Sequence, residues 1–322
     1  MRKKLTQIFT AAIIIFMFAC ARVETRKPDN SIRFSPVASK STRAIISGVS
    51  YPIDESFTVS AYANGTYAYF EEQTASYSAV KHFWATDEVQ YWPLSGSLTF
   101  QAYSPSSASG IEVSSSGISA DGYTIINTAQ MNTDLCYASA TVPDCANHPD
   151  SVSLTFSHAL SQIVIRAKAA DYYNDANREV SISVNSLALT GIYSTGDFAD
   201  GAWTNQDNEF SYTISSSSTA LSYDAQHEPE TVNLCSCLLI PQELGPNAKL
   251  RVGFSIIQTV NSVDHSLENP PAQIAIGSNI TEWEPGKKYI YTLSIGMDHS
   301  IVFTASAVGW QDENDNIIVE EN

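Results

Sequence analysis

The chain has 322 residues, is rich in Ser, Thr, Tyr, Val and Ile, and carries a formal net charge of −17. The charge is uneven: residues 1–43 hold nine Lys or Arg and two acids, whereas residues 44–322 hold eight basic and 32 acidic residues, a net charge of −24. So acidic a body excludes nucleic-acid binding, which requires clustered cations that displace counterions from phosphates. The apolar fraction of 43% excludes global disorder.

The N-terminus has the pattern of a secretion signal. Three basic residues, 2–4, precede the apolar run 8–19, which is too short to span a bilayer as a helix. The run ends in MFAC, which resembles the processing box of a bacterial lipoprotein with Cys20 as the lipidated residue. A plain signal peptide with a chance cysteine is the alternative. We predict that residues 1–20 are a lipoprotein signal peptide.

From residue 44 onward, apolar and polar residues alternate in short segments separated by turn residues, a pattern typical of β-sandwiches. The alternating segments are 57–61, 98–102, 152–156, 163–167, 180–184, 232–234, 250–256, 289–295 and 301–305. Asn64-Gly65 is placed for a type I′ hairpin turn, which needs two residues with positive φ. DYYNDANREV, residues 171–180, is the best candidate for a helical turn.

The loop TVPDCANHPDS, residues 141–151, is the predicted domain boundary because it concentrates Pro, Asp and Asn. It divides the body of the chain into an N-terminal domain, 44–150, and a C-terminal domain, 151–322. Each is long enough for a β-sandwich. We therefore expect an all-β fold with two sandwich domains.

No motif in the sequence predicts catalysis or a cofactor. HExxH, a glycine-rich phosphate loop, CxxC and GxSxG are all absent. The six histidines are scattered, and none has a second ligand at metal-binding spacing. DENDN, residues 312–316, begins like a calcium loop but is followed by Ile317 where that loop requires Gly. We predict no enzyme activity, no cofactor and no metal.

The cysteines suggest at most one optional disulfide. Cys235 and Cys237 are two positions apart in a strand pattern, so their side chains share a face and point in parallel, a poor geometry for a mutual disulfide. Cys136 and Cys145 flank a loop and could pair in an oxidising compartment.

Aromatic residues are concentrated between Tyr51 and Tyr103. They could form a platform that stacks sugar rings, or they could fill the core of a sandwich. The first interpretation gives an alternative function, a surface carbohydrate-binding lipoprotein.

Four segments resemble the fimbrillin proteins, the subunits of type V pili. FSHALSQIVIRAKA, residues 156–169, resembles the family's F-x-H-A-L-x-x-I strand. YWPLSGSLTFQAYSP, 91–105, and WEPGKKYIYTLSI, 283–295, are similar to further strands, and IVFTASAVGW, 301–310, looks like the late strand that ends in Trp. The order and spacing of the segments extend the resemblance over nearly the whole chain.

The resemblance implies two tandem transthyretin-like β-sandwich domains and export as a lipoprotein to the outer membrane or a surface pilus. It also implies cleavage by an Arg-specific protease, strand exchange with other pilus subunits, and a ligand on a host or bacterial surface. In the family, cleavage follows an Arg just before the first body strand. Arg43 in STRA matches that place and would make Ala44 the new N-terminus, with residues 21–43 as the pro-segment. Arg33 is the second choice, and an ordinary solvated linker is the alternative for Arg43.

The residues themselves suggest how strand exchange would work. Ile32 and Phe34 flank Arg33 at the spacing of one strand face, so this segment can lie in a sheet with both apolar side chains inward. Its removal would leave an apolar groove with unpaired backbone groups, a template for another strand. Ile317 and Val319 have the same spacing and form the candidate donor strand. Whether the chain is a stalk, tip or anchor subunit stays open.

Overall fold

In the computed structural model the described residues are 30–38, 51–126, 132–215, 217–268 and 271–310. They form β-strands, two short 3-10 helices (Cys145–Asn147 and Ile276–Ser278) and no α-helix, which confirms the all-β prediction. None of the helices among these residues has the length and apolar character needed to cross a membrane. Cys20, Arg43, Ala44, Ile317 and Val319 lie outside the described residues.

The described residues form nineteen strands. They are β1 (Phe34–Ala38), β2 (Phe57–Ala63), β3 (Tyr67–Ser78), β4 (Phe83–Thr86), β5 (Leu98–Ser104), β6 (Glu112–Ser114), β7 (Gly117–Thr124), β8 (Cys136–Val142), β9 (Val152–His158), β10 (Ser161–Ala169), β11 (Arg178–Ala199), β12 (Ala202–Ser215), β13 (Thr219–Ala220), β14 (Val232–Leu239), β15 (Lys249–Val260), β16 (Val263–Glu268), β17 (Ala272–Ala275), β18 (Lys287–Ile295) and β19 (Ile301–Gly309).

Seven strands close into a barrel in the order β1-β4-β3-β2-β5-β8-β9. Every neighbouring pair is antiparallel except β1 and β9, which are parallel. Parallel neighbours cannot be joined by a tight turn and need a long connection. Here that connection consists of all the other strands of the barrel, and β6 and β7 besides.

The barrel core follows the alternation read from the sequence. Fully buried side chains at every second position include Phe57, Val59, Ala61, Leu98, Phe100, Ala102, Leu154 and Phe156. Phe, Tyr and Trp supply the largest side chains of this core, and large side chains bury the most apolar surface.

Two further sheets contain the other described strands. One has four strands in the order β14-β10-β18-β19, and the other has eight, with the path β16-β15-β11-β7-β6 and with β12, β13 and β17 paired beside it. A single apolar core contains residues of both sheets, among them Ile165, Tyr291, Val252 and Ile256.

The predicted boundary at 150 can be compared with these sheets. Strands β6 and β7, which precede it, lie in the sheet of β11, and β9, which follows it, lies in the barrel. The described residues from Ile32 onward belong to one compact unit by Cα proximity. The division into 44–150 and 151–322, and the transthyretin-like character of each part, stay predictions.

Two local predictions have clear outcomes. Asn64 and Gly65 both have positive φ, at 52° and 69°, and the Thr66 N–H donates to the Ala63 carbonyl at 3.1 Å. Strand pairing stops at Ala63 and Tyr67, however, so the hairpin loop has three residues. The helical turn predicted within 171–180 is wrong: Asp175 and Arg178 instead form an antiparallel bridge that leads into β11.

Candidate functional site

Strand β1 fills the gap between β4 and β9 and thereby closes the barrel. Its ladder with β9 is continuous from Phe34 opposite Val152 to Ala38 opposite Phe156, and the Val152 N–H donates to the Arg33 carbonyl at 2.8 Å. The ladder with β4 is limited to Phe34 opposite Trp84. Strand β1 therefore holds the barrel closed mainly through β9.

The two predicted inward residues of this strand segment are both buried, Ile32 with 1% and Phe34 with 2% of the side chain exposed. The Ile32 N–H donates to the Gln90 carbonyl at 2.7 Å. The Phe34 ring meets the rings of Phe57 and Phe100 edge to face, with centroids 5.7 and 5.8 Å apart. Phe34 is thus a central member of the aromatic core.

Pro36 is a third inward residue of β1, which the sequence analysis did not predict. The backbone N–H and C=O groups of successive residues in a strand point to opposite sides. Because the Arg33 carbonyl points to β9, the backbone groups of Phe34 and Pro36 point to the other side of β1. On that side the pairing with β4 ends at Phe34. The missing N–H of Pro36 therefore costs no ladder hydrogen bond, in keeping with the positions where strands tolerate proline.

Arg33, the second-choice cleavage residue, lies inside this ladder. Its guanidinium carbon is 4.3 Å from the centroid of the Phe83 ring, a cation–π contact, and its side chain is half-buried. A protease needs an accessible, extended stretch of backbone. While β1 is paired with β9, the backbone at Arg33 is therefore not accessible to a protease.

The aromatic residues between Tyr51 and Tyr103 divide into two groups. Most belong to the barrel core, and Trp84 and Trp92 are only 7% and 3% exposed. Tyr67, Tyr69 and Tyr91 are exposed at 72%, 39% and 56%, and the Tyr69 hydroxyl donates to the Tyr91 carbonyl at 2.8 Å.

The four described cysteines are free thiols and buried. Cys235 and Cys237 lie on β14, opposite Ile165 and Ile163 of β10. Their side chains point in parallel from one face of the strand, and the two thiols do not form a mutual disulfide. Cys136 and Cys145 are also unpaired.

A cluster of buried polar side chains lies at the start of β8 and the end of β9. Asp134, Cys136 and His158 each have 2% or less of their surface exposed. The ring of Trp310, fully buried just after β19, stacks on the His158 imidazole with centroids 4.0 Å apart and an interplanar angle of 14°. Spacing alone does not reveal this cluster, since it is the pairing of β8 with β9 that brings His158 beside Asp134 and Cys136.

The sequence profile described as Fimbrillin-like matches residues 42–310 of the chain. The chain belongs to the fimbrillin-like family. The match begins beside Arg43 and ends at Trp310, so it includes the barrel strands from β2 onward and both other sheets of this fimbrillin-like protein. No curated protein matches the sequence.

Solved structures extend the comparison of the fimbrillin-like fold. A candidate cell adhesion protein from Bacteroides uniformis ATCC 8492 aligns with a TM-score of 0.50 at 14% identity, covering 88% of this chain and 100% of that one. A second such protein, from Bacteroides ovatus ATCC 8483, aligns with a TM-score of 0.46 at 16% identity, covering 90% of this chain and 99% of that one. The fimbrial anchor protein Mfa2 from Porphyromonas gingivalis aligns with a TM-score of 0.33 at 12% identity, over 87% of this chain and 97% of that one. At such identities the first of these likenesses supports the fold alone.

Proposed function

We propose that this fimbrillin-like protein is a structural subunit or a tip or anchor adhesin of a type V pilus, and not an enzyme. Membership of the family supports this role. The names of the similar structures, which include cell adhesion proteins and a fimbrial anchor, point in the same direction. The partners would be other pilus subunits, together with a ligand on a host or bacterial surface.

The proposed route to the cell surface is that of a lipoprotein. The signal in residues 1–20 would direct export, and acyl chains on Cys20 would hold the precursor in the outer membrane. Each buried CH₂ of such a chain contributes about 0.8 kcal/mol, so several chains anchor a protein firmly. An anchor subunit would keep this lipid, whereas a stalk or tip subunit would lose it with the pro-segment.

The proposed activation step is cleavage after Arg43 by an Arg-specific protease, which would make Ala44 the first residue. Arginine is otherwise sparse in the body of the chain, at Arg166, Arg178 and Arg251 only. Cleavage would separate β1 covalently from the rest of the barrel. The position of β1 as the closing strand, with Ile32 and Phe34 buried, is the observation that carries this proposal.

Loss of β1 would expose the apolar groove between β4 and β9 together with the backbone groups of Val152 and its neighbours that now pair with β1. A strand from a second subunit could restore both the ladder and the apolar contacts. Each fully buried large side chain contributes about 1.5–3 kcal/mol. Ile317 and Val319 are the proposed side chains of that donor strand.

The test is cleavage of the purified precursor with an Arg-specific protease, followed by size-exclusion chromatography and N-terminal sequencing. We expect one early cut, Ala44 as the new N-terminus, and multimers that form afterwards. Complete cleavage with only monomers would contradict strand exchange. In cells, a surface protein that begins at Ala44 supports a stalk or tip subunit, and one that begins at acylated Cys20 supports an anchor.

Carbohydrate binding is a second candidate function, favoured by the exposure of Tyr67, Tyr69 and Tyr91. Exposed aromatic rings stack on the apolar faces of sugars, whereas Trp84 and Trp92 lie in the core. Binding of the intact protein to a glycan array, lost in Tyr91→Ala and retained in a Val80→Ala control, would support this function. An array with no bound glycan would leave it without support.

A further inference from the structure

The buried cluster Asp134–Cys136–His158 is held in place by the pairing of two strands. Cys136 lies directly opposite His158 in the antiparallel ladder of β8 and β9. Asp134 precedes Cys136 by two positions, the spacing that places side chains on one side of an extended backbone. The carboxylate, thiol and imidazole therefore converge from neighbouring strands, and their ligand atoms all lie within 4.8 Å of one another.

Hydrogen bonds among the described residues do not satisfy all the polar atoms of this cluster. The His158 Nδ1 is 2.6 Å from Asp134 Oδ1 and 3.3 Å from Cys136 Sγ, so two polar atoms compete for a single ring nitrogen. Asp134 Oδ2 and His158 Nε2 are buried and have no hydrogen-bond partner within the described part of the chain. A buried polar atom without a partner is costly, so the carboxylate oxygen Asp134 Oδ2 calls for an explanation.

We propose that Asp134, Cys136 and His158 form a binding site for Zn²⁺. The thiolate sulfur, the imidazole Nδ1 and the carboxylate are three of the ligand types that zinc prefers, and Asp134 Oδ2 can complete four-coordination as the second oxygen of a bidentate carboxylate. Zinc binding would release the thiol proton, and the imidazole, bound as a neutral ligand through Nδ1, would carry its one proton on Nε2, which gains no partner from the ion. The resulting centre, with one carboxylate, one thiolate and Zn²⁺, has no net charge, which suits a buried site.

One distance in the cluster must lengthen before a zinc ion can enter. Zinc lies about 2.3 Å from sulfur and about 2.0–2.2 Å from nitrogen or oxygen, so ligand atoms of different residues around it are separated by more than the 2.6 Å between Asp134 Oδ1 and His158 Nδ1. Those two atoms must move apart when the ion enters. The Cys136 Sγ to His158 Nδ1 distance of 3.3 Å is already close to what a shared ion needs.

The site would stabilise a particular contact of the fold. The imidazole of His158 carries the stacked ring of Trp310, the last described residue after β19. Zinc on Nδ1 would fix the orientation of the imidazole and so the position of Trp310. The site would therefore connect the barrel strands β8 and β9 to the end of the four-stranded sheet.

The test is the zinc content of the full chain, purified without a metal-binding tag and refolded with or without Zn²⁺. We expect about one Zn²⁺ per chain by plasma mass spectrometry and a higher melting temperature with zinc, because structural zinc contributes to folding. Cys136→Ser and His158→Gln should lose the ion. Cys145→Ser, which replaces another buried free thiol, and His148→Gln should retain it.

Cobalt substitution in the wild-type chain makes the test independent of whether the variants fold. A near-ultraviolet thiolate-to-Co²⁺ charge-transfer band would support the site. A chain that binds neither metal and melts at the same temperature with and without zinc would overturn it. Zinc retained in both Cys136→Ser and His158→Gln would also overturn it, since the ion would then be held elsewhere.

Discussion

Phe34 lies opposite Val152 in a parallel ladder, so the first described strand closes the barrel beside a strand from far along the chain. The Phe34 side chain is 2% exposed and contacts Phe57 and Phe100, so the same residue contributes both backbone pairing and core packing. The stability of the unprocessed protein should therefore depend on it.

Replacing Phe34 with Ala in the precursor should lower the free energy of unfolding by about 3–5 kcal/mol, because a large buried ring leaves a cavity that the core cannot fully close. Ser35→Ala is the matched control, since Ser35 is exposed on the opposite side of the same strand, and it should change stability by less than about 0.5 kcal/mol. Urea unfolding followed by tryptophan fluorescence measures both. Equal stabilities would show that β1 does not contribute to the barrel in solution.

Arg43→Ala should abolish the first cut by an Arg-specific protease, whereas Arg33→Ala should leave that cut unchanged. Arg33 pairs with β9 through its carbonyl and stacks on Phe83, so its backbone is protected in the folded precursor. Mass spectrometry of timed digests identifies the bond that is cut. A first cut after Arg33 in the wild-type protein would reverse the assignment.

Ile317→Asp and Val319→Asp should each prevent multimers after cleavage while the monomer stays folded. A charged carboxylate placed in an apolar groove is strongly unfavourable. Ile318→Asp is the matched control, because the intervening residue of an extended strand points to the other side. Size-exclusion chromatography of the cleaved variants provides the comparison. Loss of multimers in all three variants alike would argue against a strand inserted with Ile317 and Val319 inward.

The protein should lose stability as the pH rises above about 10, the ordinary pKa of tyrosine. Burial raises the pKa of Tyr51 well above that value, although a hydrogen bond with Ser104 opposes the shift. Above about pH 10 the unfolded chain therefore releases a proton that the folded chain retains. The unfolded state gains stability relative to the folded state as the pH increases further.

Tyr51→Phe should reduce the slope of unfolding free energy against pH between about pH 10 and 12, because this variant has lost the group that titrates differently in the two states. Tyr67→Phe, at a position that is 72% exposed, serves as the control and should keep the wild-type slope. Urea unfolding at several pH values provides the slopes. A wild-type slope in Tyr51→Phe would contradict the role of this residue.

The sequence predicted the strand character of the fold because period-2 alternation is a local signal. Phe57, Val59 and Ala61 alternate in the sequence and are fully buried in the structure. The inward positions of Ile32 and Phe34 also agree with the alternation of side chains along a strand. The parallel pairing of β1 with β9 is not visible locally, since it depends on where distant segments meet.

The aromatic stretch from Tyr51 to Tyr103 illustrates a second limit. Composition could not separate a surface platform from a core, because ring-bearing side chains suit both environments. The structure places Trp84 and Trp92 inside and leaves Tyr67 and Tyr91 outside. Likewise, Asp134 and His158 come together only through the pairing of β8 with β9, so spacing in the sequence could not predict their contact.

The parallel neighbour of β1 also has a kinetic consequence. A contact between such distant segments carries a large loop-closure entropy, and proteins dominated by such contacts fold slowly. During synthesis, the strand of Phe34 cannot pair with β9 until the ribosome has released Val152. The barrel therefore closes late, and the nascent chain passes through a stage in which the hydrophobic interior is accessible to chaperones and to other copies of itself.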